Sequence, residues 1–263
     1  MQDEGREPDT VDIAAWRKAQ RAGLVSRREN VPEAERKSWN ERISAHLGGG
    51  FAIPAETIVG FCWPYRGEYD ARFCVRRWRD EGAIAALPEV TARDAPLRFR
   101  KWWPGAPMRR GVYGIPVPNG TEIVVPDILI VPMNAYDGRG FRLGYGGGFF
   151  DSTLEALARR VIAVGVSYEM LRVATIHPQT HDVPMDFVVT EAGIDVAVGA
   201  PLQGVDADGS RICFAALLAA RRLPRATCGA GGYSSPACYA AEFPGYFGDM
   251  EEEVMRRNDE EER

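Results

Sequence analysis

The chain has 263 residues, 45% of them hydrophobic, and its 32 basic and 37 acidic side chains leave a formal charge of −5. That length and apolar content fill a core of ordinary size. The acidic balance excludes a protein that coats nucleic acid through bulk charge, and residues 249–263 account for all of the imbalance. No apolar run approaches the roughly 20 residues of a membrane span. No apolar stretch follows Asp3, Glu4, Arg6, Glu7 and Asp9 as a secretory signal would require, and the cysteines at 62, 74, 213, 228 and 238 have neither C-x-x-C spacing nor histidine partners. Disulfide framework and zinc site are thereby removed, and a reducing cytoplasm fits.

In chain order, Asp12 caps a predicted helix that runs to about Arg28, with Arg17 and Arg21 four apart on one face. On spacing alone the pair is either solvated surface or a clamp for phosphate oxygens. Pro32 starts a second helix, predicted to stop at the glycine run 48–50. Thr57 to Trp63 reads as a buried strand that ends in a turn carrying Glu68 and Asp70. Residues 70–80 have helical spacing, and Ile84 to Pro88 is a second strand, so the three make a parallel crossover. From Pro96 to Tyr113 cations alternate with aromatics (Arg98, Phe99, Arg100, Lys101, Trp102), the pattern of an exposed alternating strand. The run Gly114 to Pro118 reads as irregular chain, and further strands are predicted at 127–132, 161–166 and 187–190. Pro178 keeps His177 and His181 from forming a helical metal pair. Asp182 reads either as a turn carboxylate or as a cation ligand.

The stretch Arg142-Leu-Gly-Tyr-Gly-Gly-Gly-Phe-Phe-Asp151 stands apart. Four glycines in five positions let backbone N–H groups close on an oxyanion that any Cβ would hold away. Good helix formers follow from Leu154, so the loop empties into a helix N-terminus, which also favours negative charge. Arg142 adds a cationic fork and Asp151 a hard oxygen donor. The loop is neither a Walker sequence nor a dinucleotide fingerprint, because Phe149 stands where the third glycine would be.

This loop resembles the R-L-G-x-G-x-G-Y-Y-D signature of the 5-formyltetrahydrofolate cyclo-ligase family. Trp63-Pro-Tyr-Arg-Gly-Glu68-Tyr-Asp70, Gly114-Ile-Pro-Val-Pro118 and His181-Asp182-Val-Pro-Met-Asp186 before Val-Val-Thr-Glu191 resemble its other motifs in the same order. The resemblance implies an α/β fold with a mostly parallel sheet and flanking helices, of the sugar-isomerase/CoA-transferase-like kind. It implies a monomeric catalytic unit at 10–194; outside it, composition reads 1–9 as a charged leader and 195–263, rich in glycine and proline with an acidic end, as a mostly poorly ordered extension with one helix near 211–222. It also implies an enzyme that uses ATP and Mg2+ to close 5-formyltetrahydrofolate to 5,10-methenyltetrahydrofolate, by phosphorylating the formyl oxygen and letting N10 attack.

By the same resemblance Arg17, Lys18, Arg21 and Arg142, Leu143, Gly144, Tyr145, Gly146, Gly147, Gly148, Phe149 and Phe150 hold the nucleotide. Trp63, Glu68 and the 145–149 part of the loop hold the folate, and Asp151 and Asp182 hold the metal. Two departures stand out. Arg17 replaces the family's lysine, with Lys18 beside it, and Phe149 and Phe150 replace two tyrosines, which keeps stacking surface but drops two hydroxyls. The alternatives are another ATP-using ligase on the same scaffold, and a catalytically weakened folate-, nucleotide- or RNA-binding relative using the Arg98 to Arg110 surface.

Overall fold

The computed structural model describes residues 12–93, 95–112, 114–157, 161–197 and 201–222. Asp12 caps α1 (Ile13–Glu29) by accepting from the N–H groups of Ala14 and Ala15 at 3.0 and 3.1 Å. After Pro32 comes α2 (Glu33–Gly50), whose Ile43 and Leu47 are fully buried. Then β1 (Ile58–Gly60), α3 (Arg72–Asp80) and β2 (Ile84–Glu89) form the expected crossover, with β1 parallel to β2. β3 (Arg98–Trp102) returns antiparallel to β2, and β4 (Met108–Arg110) pairs with β5 (Pro116–Pro118) in a separate ribbon. β6 (Ile123–Val124) edges β3, and β7 (Ile128–Pro132) enters the centre of the sheet. β8 (Ala135–Asp137) and β9 (Arg142–Leu143) lead to α4 (Phe149–Ala156) and then β10 (Ile162–Val166). β11 (Arg172–Val173), β12 (Phe187–Val189), β13 (Ile194–Val196), β14 (Gln203–Val205) and α5 (Ala207–Arg222) complete the described chain.

Nine strands share one sheet in the order β14-β13-β12-β10-β7-β1-β2-β3-β6. The five central strands are parallel and the outer pairs antiparallel. β7 and β10 are almost wholly apolar because helices cover both faces of such a sheet. Loops leaving the C-terminal ends of β1, β2 and β7 meet on one side, where open α/β sheets hold ligands. Among the described residues no helix is long and apolar enough to cross a membrane.

Three expectations change. The segment 114–118 is not irregular, since Pro116 to Pro118 form β5. That strand pairs on one side only, so its prolines need no second ladder. The glycine run 48–50 does not stop α2, which continues through it. The reason is α5: Ser210 Oγ donates to Gly50 O at 2.9 Å and Arg211 Nη1 to Gly49 O at 2.6 Å. The ordered body also continues past 194, because β13 begins there and β14 and α5 follow. Arg221 on α5 holds the Asp186 carboxylate ahead of β12. Residues 1–11 and 223–263, with most of the predicted extension, lie outside the described residues.

The close approach of α5 makes two glycines respond oppositely. A Cβ on Gly50 would lie 2.4 Å from Ile194 Cδ1 and 2.9 Å from Ser210 Oγ, whereas one on Gly23 in α1 meets nothing within 4 Å. In urea unfolding, Gly50→Val is expected to lose about 1–3 kcal/mol by overpacking. Gly23→Ala is expected to gain roughly 0.5–1 kcal/mol from helix propensity.

Candidate functional site

Arg17, Arg21 and Arg28 fall within about 40° of one another around α1, a consequence of 3.6 residues per turn. Each reaches a different segment. Arg17 Nε donates to Ile176 O at 3.2 Å and Nη2 to His177 O at 2.9 Å, and its guanidinium pairs with Asp182. Arg21 Nε donates to Gly144 O at 3.0 Å. Arg28, with only 1% of its surface exposed, donates to Arg66 O at 2.9 Å, Asn134 Oδ1 at 2.9 Å and the Tyr145 hydroxyl at 2.7 Å. One helix thereby ties down the loops that follow β1, β7 and β9 and the 176–182 segment.

β9 delivers Arg142 to the mouth of the glycine loop, and α4 begins directly behind it. Two glycines there are demanded by geometry. Gly148 caps α4 at a φ of 62°, and Gly146 turns at a φ of 100° where a Cβ would lie 3.3 Å from the Arg21 guanidinium. The first-turn N–H groups of α4 and the bare loop then border one cleft of about 450 Å³, the size of an ordinary small-molecule site.

The residues that the resemblance assigns to nucleotide, folate and metal all line this cleft: Arg17, Lys18 and Arg21 from α1, Trp63 and Glu68 from the loop after β1, Arg142 to Asp151 with the whole glycine loop, and Asp182. The wall that carries Trp63 and Glu68 is rigidly built. Tyr145 donates from its hydroxyl to Glu68 Oε1 at 2.9 Å, and the Tyr65 N–H donates to Glu68 Oε2 at 3.1 Å. Trp63 is held between the Arg72 guanidinium, 4.6 Å from its ring, and Trp102, with ring centroids 6.1 Å apart. Burial pushes the Glu68 carboxyl above its ordinary 4.5. The Arg28 charge 3.9 Å away and the bonds from Tyr145 and Tyr65 pull it back only in part. Burial likewise raises Tyr145, so its hydroxyl remains a donor.

The two aspartates sit on either side of one turn. Asp151 Oδ1 accepts from the Val183 N–H at 3.1 Å and lies 3.1 Å from Arg142 Nη1. The neighbouring Asp182 accepts from the Gln179 N–H at 2.6 Å as well as pairing with Arg17. Among the described residues no three His, Cys, Asp or Glu side chains converge as a metal cage. Two carboxylates beside a bare glycine loop are nevertheless a donor set that would suit Mg2+, which takes one or two carboxylates and fills its shell with phosphate and water oxygens. The histidines take no part in such a set. His177 packs edge-on against Trp16 at 4.7 Å, and His181 Nε2 lies 3.9 Å from Asp182 Oδ1.

Arg28 and Asn134 escaped the sequence reading. Continuing the Arg17–Arg21 stripe two turns along α1 reaches Arg28, so a signal was present. Asn134 had none. Its Nδ2 is the one buried side-chain nitrogen or oxygen without a hydrogen-bond partner among the described residues.

Residues 13–191 match the model of the 5-formyltetrahydrofolate cyclo-ligase family. A 5-formyltetrahydrofolate cyclo-ligase of Mycolicibacterium smegmatis is 32% identical over 182 residues, spanning 65% of this chain and 91% of that protein. The structure of Aquifex aeolicus 5,10-methenyltetrahydrofolate synthetase superposes with a TM-score of 0.59 at 26% identity, covering 72% of this chain and 96% of its own. The Mycoplasma pneumoniae synthetase, at 18% identity and a TM-score of 0.55, shares the fold and covers 66% of this chain and 98% of its own.

The raised carboxyl of Glu68 has a consequence for stability. The folded chain holds this proton more tightly than the unfolded chain, so the contribution is complete below pH 4.5 and is lost as pH rises through the raised folded value. Glu68→Gln removes that titration. Thermal melts of the variant between pH 4.5 and 7 are expected to show less loss of stability with rising pH than the parent, and parallel curves would contradict the assignment.

Proposed function

The chain belongs to the 5-formyltetrahydrofolate cyclo-ligase family, and from that premise we propose that this one cleft seats both the nucleotide and the reduced folate side by side, with the glycine loop between them. Conversion of 5-formyltetrahydrofolate to 5,10-methenyltetrahydrofolate is the activity of the family and of this chain, with ATP as co-substrate. The observation that carries the site reading is convergence. Residues drawn from α1, the β1 loop, the β9–α4 loop and the 176–183 turn, far apart in sequence, border one cavity.

The oxygen of an N-formyl group is a poor leaving group. Transfer of the γ-phosphoryl group to that oxygen breaks the bond to ADP. N10 then attacks the formyl carbon and loses its proton, and the C–O bond breaks with departure of phosphate. The loop N–H groups and the α4 N-terminus receive phosphate oxygens, while Arg21, Lys18 and Arg142 add positive charge at the cleft wall. Arg17, engaged by Asp182 and two carbonyls, shapes the wall around the phosphates. Glu68 accepts from the N–H groups of the pterin, and Trp63 packs against its ring. Asp151 and Asp182 would hold Mg2+, which when bound neutralises the phosphates. The protein's part is therefore positioning and charge complementarity, the usual devices of phosphoryl transfer. Free thiols at Cys62, Cys74 and Cys213 suit a reducing compartment, and the reading keeps a monomeric enzyme of the cytoplasm.

The purified chain with ATP and Mg2+ is expected to turn 5-formyltetrahydrofolate into a product with methenyl absorbance. Asp151→Asn is expected to reduce kcat by about 100-fold or more, as loss of a transition-state charge partner does. Near-parental turnover of the variant would remove Asp151 from the metal.

A further inference from the structure

The cleft has an apolar arm that the phosphate and pterin contacts leave unused. Leu87 on β2, Val112 and Ile115 in the β4–β5 turn, and Val117 on β5 line it. Beyond them stands a charged cluster. Glu89, 4% exposed, accepts from Arg98 Nε at 2.8 Å and Arg100 Nε at 2.7 Å and pairs with Arg109. Register fixes where these groups lie. Arg100 is opposite Leu87, Arg98 opposite Glu89 and Arg109 opposite Val117. Directly opposed residues share a face of a sheet, and i and i+2 share it too. Arg98 and Arg100 therefore stand on the Leu87 face of β2 and β3, and Arg109 reaches the same carboxylate from the β4–β5 ribbon.

Three guanidinium groups meet one carboxylate, and among the described residues none of the three pairs with another acid. Counted over the described residues, the cluster holds three positive charges to one negative. Burial pushes the Glu89 carboxyl up, but bonds and charge from Arg100 and Arg98 outweigh it and hold the group below its ordinary 4.5. The field is therefore one that selects carboxylate. Arg98 and Arg109 keep 40% and 45% of their side-chain surface exposed, so their outer N–H groups face solvent while Glu89 fixes their inner ones.

We propose that Arg98 and Arg109 form a subsite for the glutamate carboxylates of the folate tail, with Glu89 as the internal anchor that aims them and the apolar arm as the seat of the aryl ring. A reduced folate carries its glutamate at the end opposite the pterin, with an aminobenzoyl group between. The cleft lining presents Glu68 and Trp63 and then Leu87 and Val117, and the arginines stand just outside that lining, on the strands paired with Leu87 and Val117. Each further γ-linked glutamate adds another carboxylate for the remaining donors. The proposal rests on the folate reading of the cleft.

The test uses three substrates on the full chain with ATP and Mg2+: 5-formyltetrahydrofolate with one glutamate, the same with three γ-linked glutamates, and 5-formyltetrahydropteroate, which has none. The parent is expected to favour the glutamate-bearing substrates in kcat/KM. Arg98→Gln and Arg109→Gln are each expected to reduce that preference by about tenfold, the loss of one charge-assisted contact. Tryptophan-fluorescence titration with the monoglutamate in the absence of ATP should weaken to match. An unchanged preference in both variants, or an equal loss for the tail-free substrate, overturns the subsite. Failure of the parent to form any methenyl product overturns the folate reading beneath it, and the two failures are distinct. Both side chains are partly exposed, and matching melting temperatures verify that the variants are folded.

Discussion

A stripe of arginines on α1 is the constraint from which the rest of the site follows. The cleft is walled by loops that have little reason of their own to hold one shape, yet Arg17, Arg21 and Arg28 bind backbone carbonyls and side chains in four of them. Removing one partner of a buried charge pair such as Arg17–Asp182 typically costs about 3–5 kcal/mol, because the other charge is left desolvated. The arginines are thus as much a framework as a source of positive potential. Under the proposed reading, a glycine loop fixed before the nucleotide arrives has N–H groups that need little reorganisation as the phosphoryl group moves.

The sheet supplies the complementary constraint. Parallel strands β1, β2 and β7 end together, so segments separated by tens of residues emerge on one side. The antiparallel additions at either edge extend this plan. β3 and the β4–β5 ribbon lengthen the cleft past β2, while β13, β14 and α5 brace the far edge. The grip of α5 on Asp186 fixes the start of β12, and the turn that carries Asp182 precedes it by four residues.

The glycine loop, the crossover units and the apolar central strands were legible in the sequence because their signals are local: a composition, a period, a capping residue. All the site residues named from the motifs were brought to one cleft. What was not legible is what long-range contact decides. Gly48 to Gly50 carry the usual stop signal of a helix, and only the docking of α5 keeps them helical. Pro116 and Pro118 argue against a strand, and only one-sided pairing with β4 permits one. β8, β9 and β11 have two or three residues each, too few for a period to show. Arg28 sits on a visible stripe, but its partners Asn134 and Tyr145 lie 106 and 117 residues away, where no local pattern points.

The account turns on α1 holding the glycine loop in its receptive form. Hydrogen exchange at the amides of residues 143–150, followed in the parent and in an Arg21→Ala, Arg28→Gln double variant, addresses this directly. Faster exchange in the loop and a lower kcat/KM, with the amides of β7 and β10 still protected, is the predicted result. A loop that exchanges at the parental rate and turns over substrate normally without those two guanidinium groups would contradict it.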